Sequence, residues 1–323
     1  MRFIVRRVIT YVLVLFAVVN LGFFLGRVPP GNAAIIQAIN SGSHSNSTIN
    51  MVAQRFGLNL PLPTQYFNYM KGIFTNFPPD LGTSYMFFPA SVSSLFQQRV
   101  LWSMLLIITS LFLSLGWAYG LAALTSLRRA GKFELGSLYS AVTVHAIPVY
   151  WFSMILVWVF AITLGWFPLF GSTSFNPGTG LSFVSSVVTH AFLPGVALSL
   201  AVFGSNYLLL RGSVQEVLRS DYVLAAMTRG LKNRVISTGY ILRNSMLPIV
   251  AILSYNIATI VSLLILVENV FGYPGIGDLI IDAIGARDYP TIAGSLFYLT
   301  IIVIIGGMIG DLILVRLDPR LRS

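Results

Sequence analysis

The side chains able to do chemistry are few. The 323-residue chain has no cysteine, three histidines (His44, His145, His190) and ten acidic residues. Missing thiols remove a disulfide framework, a cysteine-based zinc site and a thiol nucleophile together. The histidines are too widely scattered in sequence to build a zinc site, so no metal is expected. A phosphate-binding loop needs Gly-x-x-x-x-Gly-Lys-Ser/Thr. The only Gly-Lys pair, Gly131-Lys132, runs into Phe133 and lacks the earlier glycine. The stretch Gly272–Gly277 (GYPGIG) has no lysine and reads as a turn. No catalytic residue and no cofactor are therefore expected in this chain.

Four ionisable residues fall in or beside apolar stretches: His145, His190, Glu268 and Asp311. In a membrane such groups are functional candidates by default, because burying them is costly. Each also has a plainer reading. His145 and His190 suit hydrogen-bonded packing, Glu268 suits support of the following turn, and Asp311 suits an ion pair near an interface. Asp278 and Asp282, four apart on one helix face, read as solvated surface. Asp288 is placed to cap a helix with Pro290 in its first turn.

The elements that position these groups follow from composition. Only 9% of residues are charged and 56% are hydrophobic, against about 25% charged in a soluble domain. Lipid is the solvent such a surface fits. Uncharged runs predict six membrane-spanning helices: Val8–Gly26, Val100–Leu127, two within the 76-residue uncharged stretch Leu135–Leu210, then Asn244–Val267 and Tyr289–Gly310, continuing to Val315. The 76-residue stretch divides at the turn-rich Pro168–Gly180, giving spans near Thr143–Trp166 and Val184–Leu210. The first span, preceded by Arg2, Arg6 and Arg7, reads as a retained signal anchor. The fold class is all-α and polytopic.

The net charge is +10. No dense basic run suggests nucleic acid, so the bilayer is the expected partner. Fifteen of the twenty Lys and Arg residues lie at one set of helix ends and five at the other. The positive-inside rule then puts both termini in the cytoplasm. The chain divides into a first helix, residues 1–27, an extracytoplasmic segment, 28–98, and a core of five helices, 99–323. A sequon at Asn46-Ser47-Thr48 lies in the external segment.

The loop 211–243 is too long for a bundle turn. Ser220 is placed to cap a helix opening at Asp221, and Gly230 to end it; a second segment, Lys232–Arg243, leads to Pro248. Two short helices around a glycine, with small Ala225 and Ala226 inside the first, make a stiff projection that admits a partner closely. An equally simple reading is a basic loop lying on anionic lipid.

The run DYVLAAMTRGLKNRVISTGYILRNSMLPI resembles the "EAA" loop of ABC-importer permeases, in its dipeptide/oligopeptide form. Upstream, LLLRGSVQEVL carries Arg211, Ser213 and Glu216 at the matching positions. Downstream, LVENVFGYPGIGDLIIDAIGARDYPTIAG and LDPRLRS match, as do FGLNLPLPTQYFNY, LGTSY and THAFLPG earlier in the chain. The motif itself departs from the branch, reading Leu224-Ala225-Ala226.

The resemblance implies a type I importer (MetI-like) fold of six helices in a cell (inner or plasma) membrane. A second, homologous permease subunit would complete the pathway, and an extracytoplasmic binding protein would deliver the solute. Two cytoplasmic subunits would hold ATP and Mg and dock on the loop through Glu216, Asp221, Tyr222, Ala225, Ala226, Gly230, Leu231, Asn244 and Pro248. Peptides are the implied solute, with oligosaccharides or nickel as the alternatives. A stand-alone secondary transporter would call for inverted repeats, and an intramembrane enzyme for paired catalytic groups; neither pattern is present.

Overall fold

The computed structural model describes residues 2–27, 46–55, 57–127 and 131–317. His44, Arg128, Arg129, residues 318–323 and the side chain of Asn46 lie outside this description. In chain order the helices are α1 (Arg2–Leu25), α2 (Asn46–Arg55), α3 (Leu62–Thr75), α4 (Val92–Leu127), α5 (Lys132–Ala146) and α6 (Val149–Leu156). A π-helical turn, Val157–Thr163, extends α6. Then come α7 (Leu181–Leu218), α8 (Asp221–Thr228), α9 (Asn233–Val235), α10 (Leu247–Ala251), α11 (Leu253–Val270), α12 (Ile276–Gly285) and α13 (Tyr289–Leu317). A π-helical stretch, Ile236–Leu242, and a further turn, Arg243–Ser245, carry α9 onward.

Among the described residues, five helices are long and apolar enough to cross a bilayer: α1, α4, α7, α11 and α13. The third expected span falls on a bent pair, α5 and the extended α6, meeting at 100°. The bend follows from Pro148. The residue before a proline is driven out of the helical region, and Ile147 sits at φ −79°, ψ 125°. Other expected boundaries shift as well, the second span beginning at Val92 rather than Val100. The fourth span continues to Leu218, because nothing in Arg211–Leu218 breaks a helix. The fifth span begins at Leu253, because the chain turns at Met246 and again at Ile252, either side of Pro248.

The chain forms two compact units. One comprises residues 1–103 and 274–304. Its core joins α1 (Val19), α3 (Ile73), Leu81, Val92 and α13 (Phe297, Tyr298). Phe96 stacks on Tyr298 at 3.6 Å. Asp288 is fully buried there and organises the start of α13. It accepts hydrogen bonds from the Thr291 amide (3.2 Å) and hydroxyl (2.7 Å), the Ser84 hydroxyl (2.5 Å) and the Met86 amide (3.1 Å). The expected cap is thus also a tie to the segment that follows α3.

The other unit comprises residues 104–273 and 305–323. A buried polar chain crosses it: Asn256 Nδ2 donates to Asn206 Oδ1 (2.7 Å), and Asn206 Nδ2 to Ser114 Oγ (2.9 Å). Such bonds hold α4, α7 and α11 together where lipid offers no competing partner. Gly306 and Gly310 serve the same end. A Cβ at Gly306 would lie 2.8 Å from Ile257, and one at Gly310 2.9 Å from the Ser254 hydroxyl. The small-residue pair therefore packs inside this chain, against α11.

Candidate functional site

The segment 211–243 folds as two helices joined at a glycine. Asp221 opens α8 at the positive end of its dipole. Ser220 occupies the cap position, but its hydroxyl donates to the Val217 carbonyl at 2.5 Å and makes no capping bond. The chain leaves α8 through Gly230 at φ +72°, a left-handed conformation that glycine adopts without strain. The α9 stretch then returns to Ser245.

The two helices are fastened inward by apolar packing. Val223 and Ala226 of α8, and Ile236, Ile241 and Leu242 of the α9 stretch, are all buried. They share one cluster with Ala118 and Ala122 of α4 and with Tyr207, Leu210 and Val214 of α7. The apolar periodicity of DYVLAAM puts Val223 and Ala226, three apart, on the inner face. The outer face is left with Tyr222, Leu224 and Ala225 exposed. Arg229, Lys232 and Arg234 are exposed beyond them. An apolar patch with a basic rim is the composition of a protein contact surface.

The two alanines singled out from sequence therefore separate, Ala225 outward and Ala226 into the core. Of the other singled-out residues, Glu216, Asp221, Gly230 and Asn244 are exposed, while Leu231 and Pro248 are half-buried. An ion pair secures the base of the segment. Arg211 Nη2 lies 2.6 Å from Glu134 Oε1, joining α7 to the first turn of α5, and Gln215 Nε2 reaches the same oxygen at 3.2 Å. Sequence reasoning missed Glu134. The available signal was that Glu134 is the only acid between Asp80 and Glu216.

The remaining ionisable candidates do not converge. His190 is buried on α7, its Nδ1 2.7 Å from the Ser186 carbonyl, as a packing histidine should be. His145 does not show the burial that a packing role implies. It is exposed in the last turn of α5, where Pro148 has already ended the helix, and its Cβ fills the space beside Gly204. Glu268 is fully buried at the end of α11, and its carbonyl accepts the Tyr273 amide at 2.8 Å, closing the turn that Gly272 makes at φ +50°. Asp311 is half-buried in α13. Asp278 is not free surface: it pairs with Arg99 at 2.9 Å, whereas Asp282 is exposed. Burial pushes the Asp278 carboxyl up, against the opposing hydrogen bond from Arg99. Among the described residues no group of three His, Cys, Asp or Glu side chains is arranged to hold a metal ion.

Residues 113–323 match the family described as "Binding-protein-dependent transport system inner membrane component", and residues 1–115 match its N-terminal counterpart. The chain is 28% identical over 319 residues to the oligopeptide transport system permease protein AppB of Bacillus subtilis (strain 168), covering 99% of this chain and 98% of that protein. It is 29% identical over 320 residues to the probable peptide ABC transporter permease protein y4tP of Sinorhizobium fredii (strain NBRC 101917 / NGR234), covering 99% of each. Against the dipeptide transport system permease protein DppB of Escherichia coli (strain K12), identity is 26% over 340 residues, covering 100% of this chain and 99% of that protein.

Proposed function

We propose, starting from the fact that this chain belongs to the family of binding-protein-dependent transport system inner membrane components, that it is the permease subunit of an ATP-driven peptide importer. It lines the solute pathway together with a second, homologous permease. An external binding protein delivers the solute, and two ATP-binding subunits supply the energy. Peptides are the solute because the similar proteins are named for oligopeptide, peptide and dipeptide transport.

One observation carries the coupling role. The buried residues of α8 and the α9 stretch share a single apolar cluster with α4 and α7. A push on the exposed Tyr222–Ala225 surface is thereby delivered to two membrane-spanning helices, because packed interiors deform little. A basic loop lying on lipid would need no such core. The charge bias puts this surface in the cytoplasm, where ATP is available, and both termini with it. The ATP chemistry belongs to the docked subunits, since this sequence has no phosphate loop.

The test is uptake of a labelled dipeptide into liposomes. With the second permease, the ATPase subunits, the binding protein and ATP present, uptake should be concentrative; with this chain alone it should be absent. Transport by the chain alone would refute the reading.

A further inference from the structure

A cavity of about 320 Å³ opens where α1 ends, in the unit built from residues 1–103 and 274–304. Its lining includes Arg27, Gln65, Tyr69, Asp80, Tyr85 and Ala293. Arg27 is half-buried there. Its Nε and Nη2 donate to Gln65 Oε1 at 3.1 and 3.0 Å, and its Nη1 to the Phe23 carbonyl at 2.7 Å. The guanidinium also lies 3.6 Å from the centroid of the Phe23 ring. These contacts fix the plane of the group but do not neutralise it. Among the described residues no carboxylate forms an ion pair with Arg27. Among the described residues these hydrogen bonds occupy three of the five guanidinium N–H donors.

The rest of the lining favours the same kind of ligand. Among the described residues the buried Tyr69 hydroxyl has no hydrogen-bond partner. It is admitted by Gly22, whose Cβ, if present, would lie 3.2 Å from it. The Asp80 carboxylate also lines the cavity, its Oδ1 accepting the Gly82 amide at 3.0 Å, so the anion must be held on the Arg27 side. The Tyr69 and Tyr85 phenols are pushed up to about 12 by burial, so neither adds a negative charge to the cavity at neutral or mildly alkaline pH. A half-buried cation with donors to spare and a buried hydroxyl lacking a partner are both groups that an acceptor would satisfy.

We propose that this cavity binds an oxyanion, held by the Arg27 guanidinium and the Tyr69 hydroxyl. A phosphate diester and a carboxylate share the required chemistry, since each offers paired oxygens to an arginine fork. Two sources can supply it. The exposed apolar flank of α1, including Leu21 and Phe24, leads lipid to the cavity, so a phospholipid headgroup is one. The free carboxyl end of a peptide solute is the other.

The experiment is native mass spectrometry of the full chain purified with its partner subunits. The probes are phosphatidylglycerol against phosphatidylcholine, and trialanine with a free against an amidated carboxyl terminus. The wild type should bind one anionic probe about tenfold more tightly than its uncharged counterpart. Tyr69→Phe should weaken that binding about threefold to tenfold, the size of one hydrogen bond, without lowering the Tm, because the hydroxyl makes no internal bond. Arg27→Gln should abolish the preference. A preference for the lipid assigns the site to a headgroup, and one for the free peptide assigns it to the solute. No preference in the wild type, or an intact preference in Tyr69→Phe, overturns the proposal, and the second arm stands even if Arg27→Gln fails to fold.

Discussion

Arg211 and Glu134, the two charged residues that bracket an uncharged run of 76 residues, are ion-paired at 2.6 Å. The contact closes a loop of chain comprising α5, α6 and most of α7, and it fixes the level at which the segment carrying α8 leaves the bundle. Both side chains are about one-fifth exposed, so the pair is screened only in part.

Glu134→Gln keeps the shape but removes the charge. It should destabilise the protein by about 2 kcal/mol, between an exposed pair and a fully buried one. Thermal denaturation of the purified complex reads the loss as a lower Tm. Arg211→Lys should lose a comparable amount, because a lysine cannot reproduce the guanidinium geometry. An unchanged Tm in both would mean the pair is incidental.

Gly230 makes a prediction about backbone rather than volume. No atom lies within 4 Å of the position its Cβ would take, yet its φ is +72°. Any substitution therefore fits the space but strains the chain. An ordinary L-residue held in this region costs about 1–2 kcal/mol, and asparagine less. ATP-driven uptake should fall in the order Gly230→Asn, Gly230→Ala, Gly230→Val, with β-branched valine worst. Equal uptake in all three would show that the turn conformation is unimportant to coupling.

Alkaline pH should loosen the unit that contains the oxyanion cavity. The Tyr69 and Tyr85 phenols sit at about 12 in the folded protein, against about 10 in an unfolded chain. A group whose pKa rises on folding stabilises fully below the unfolded value and loses that contribution as pH climbs through the folded one. The Tm should therefore hold to about pH 10 and fall between about 10 and 12. The double variant Tyr69→Phe/Tyr85→Phe should show a shallower fall, and phenolate absorbance should appear late in the wild type.

Much of this was legible in the sequence. Uncharged runs located the spans, and the residues around Gly230 foretold two short helices. What sequence periodicity could not supply was direction. Ala225 and Ala226 are neighbours of one type, and only the packing of α8 sends the second inward. The ends of the spans shifted where one proline overrode hydrophobicity, at Ile147-Pro148, or where nothing stopped a helix, at Leu210. Asp288 was readable as a cap because that role is local; its bond to Ser84, 204 positions away, was not. The Arg27 cavity escaped for the same reason, since Gln65 and Tyr69 approach Arg27 only through the packing of α3 on α1.

The orientation is open to direct labelling, and the absence of native cysteine makes it simple. Single cysteines at Asn46 and Lys232 should react with a membrane-impermeant maleimide from opposite faces, position 46 from outside and position 232 only after the membrane is opened. Labelling of both from one face would invert or break the topology.

The coupling role rests on the exposed face of α8, and cross-linking tests it most directly. A photoactivatable cross-linker placed on Ala225→Cys, in membranes containing the whole transporter, should capture an ATP-binding subunit, with a yield that changes when ATP is added. The same group at Ala226→Cys, buried at 3% exposure, should capture little. Absence of any ATPase adduct at position 225, with the variant still transporting, would contradict the account.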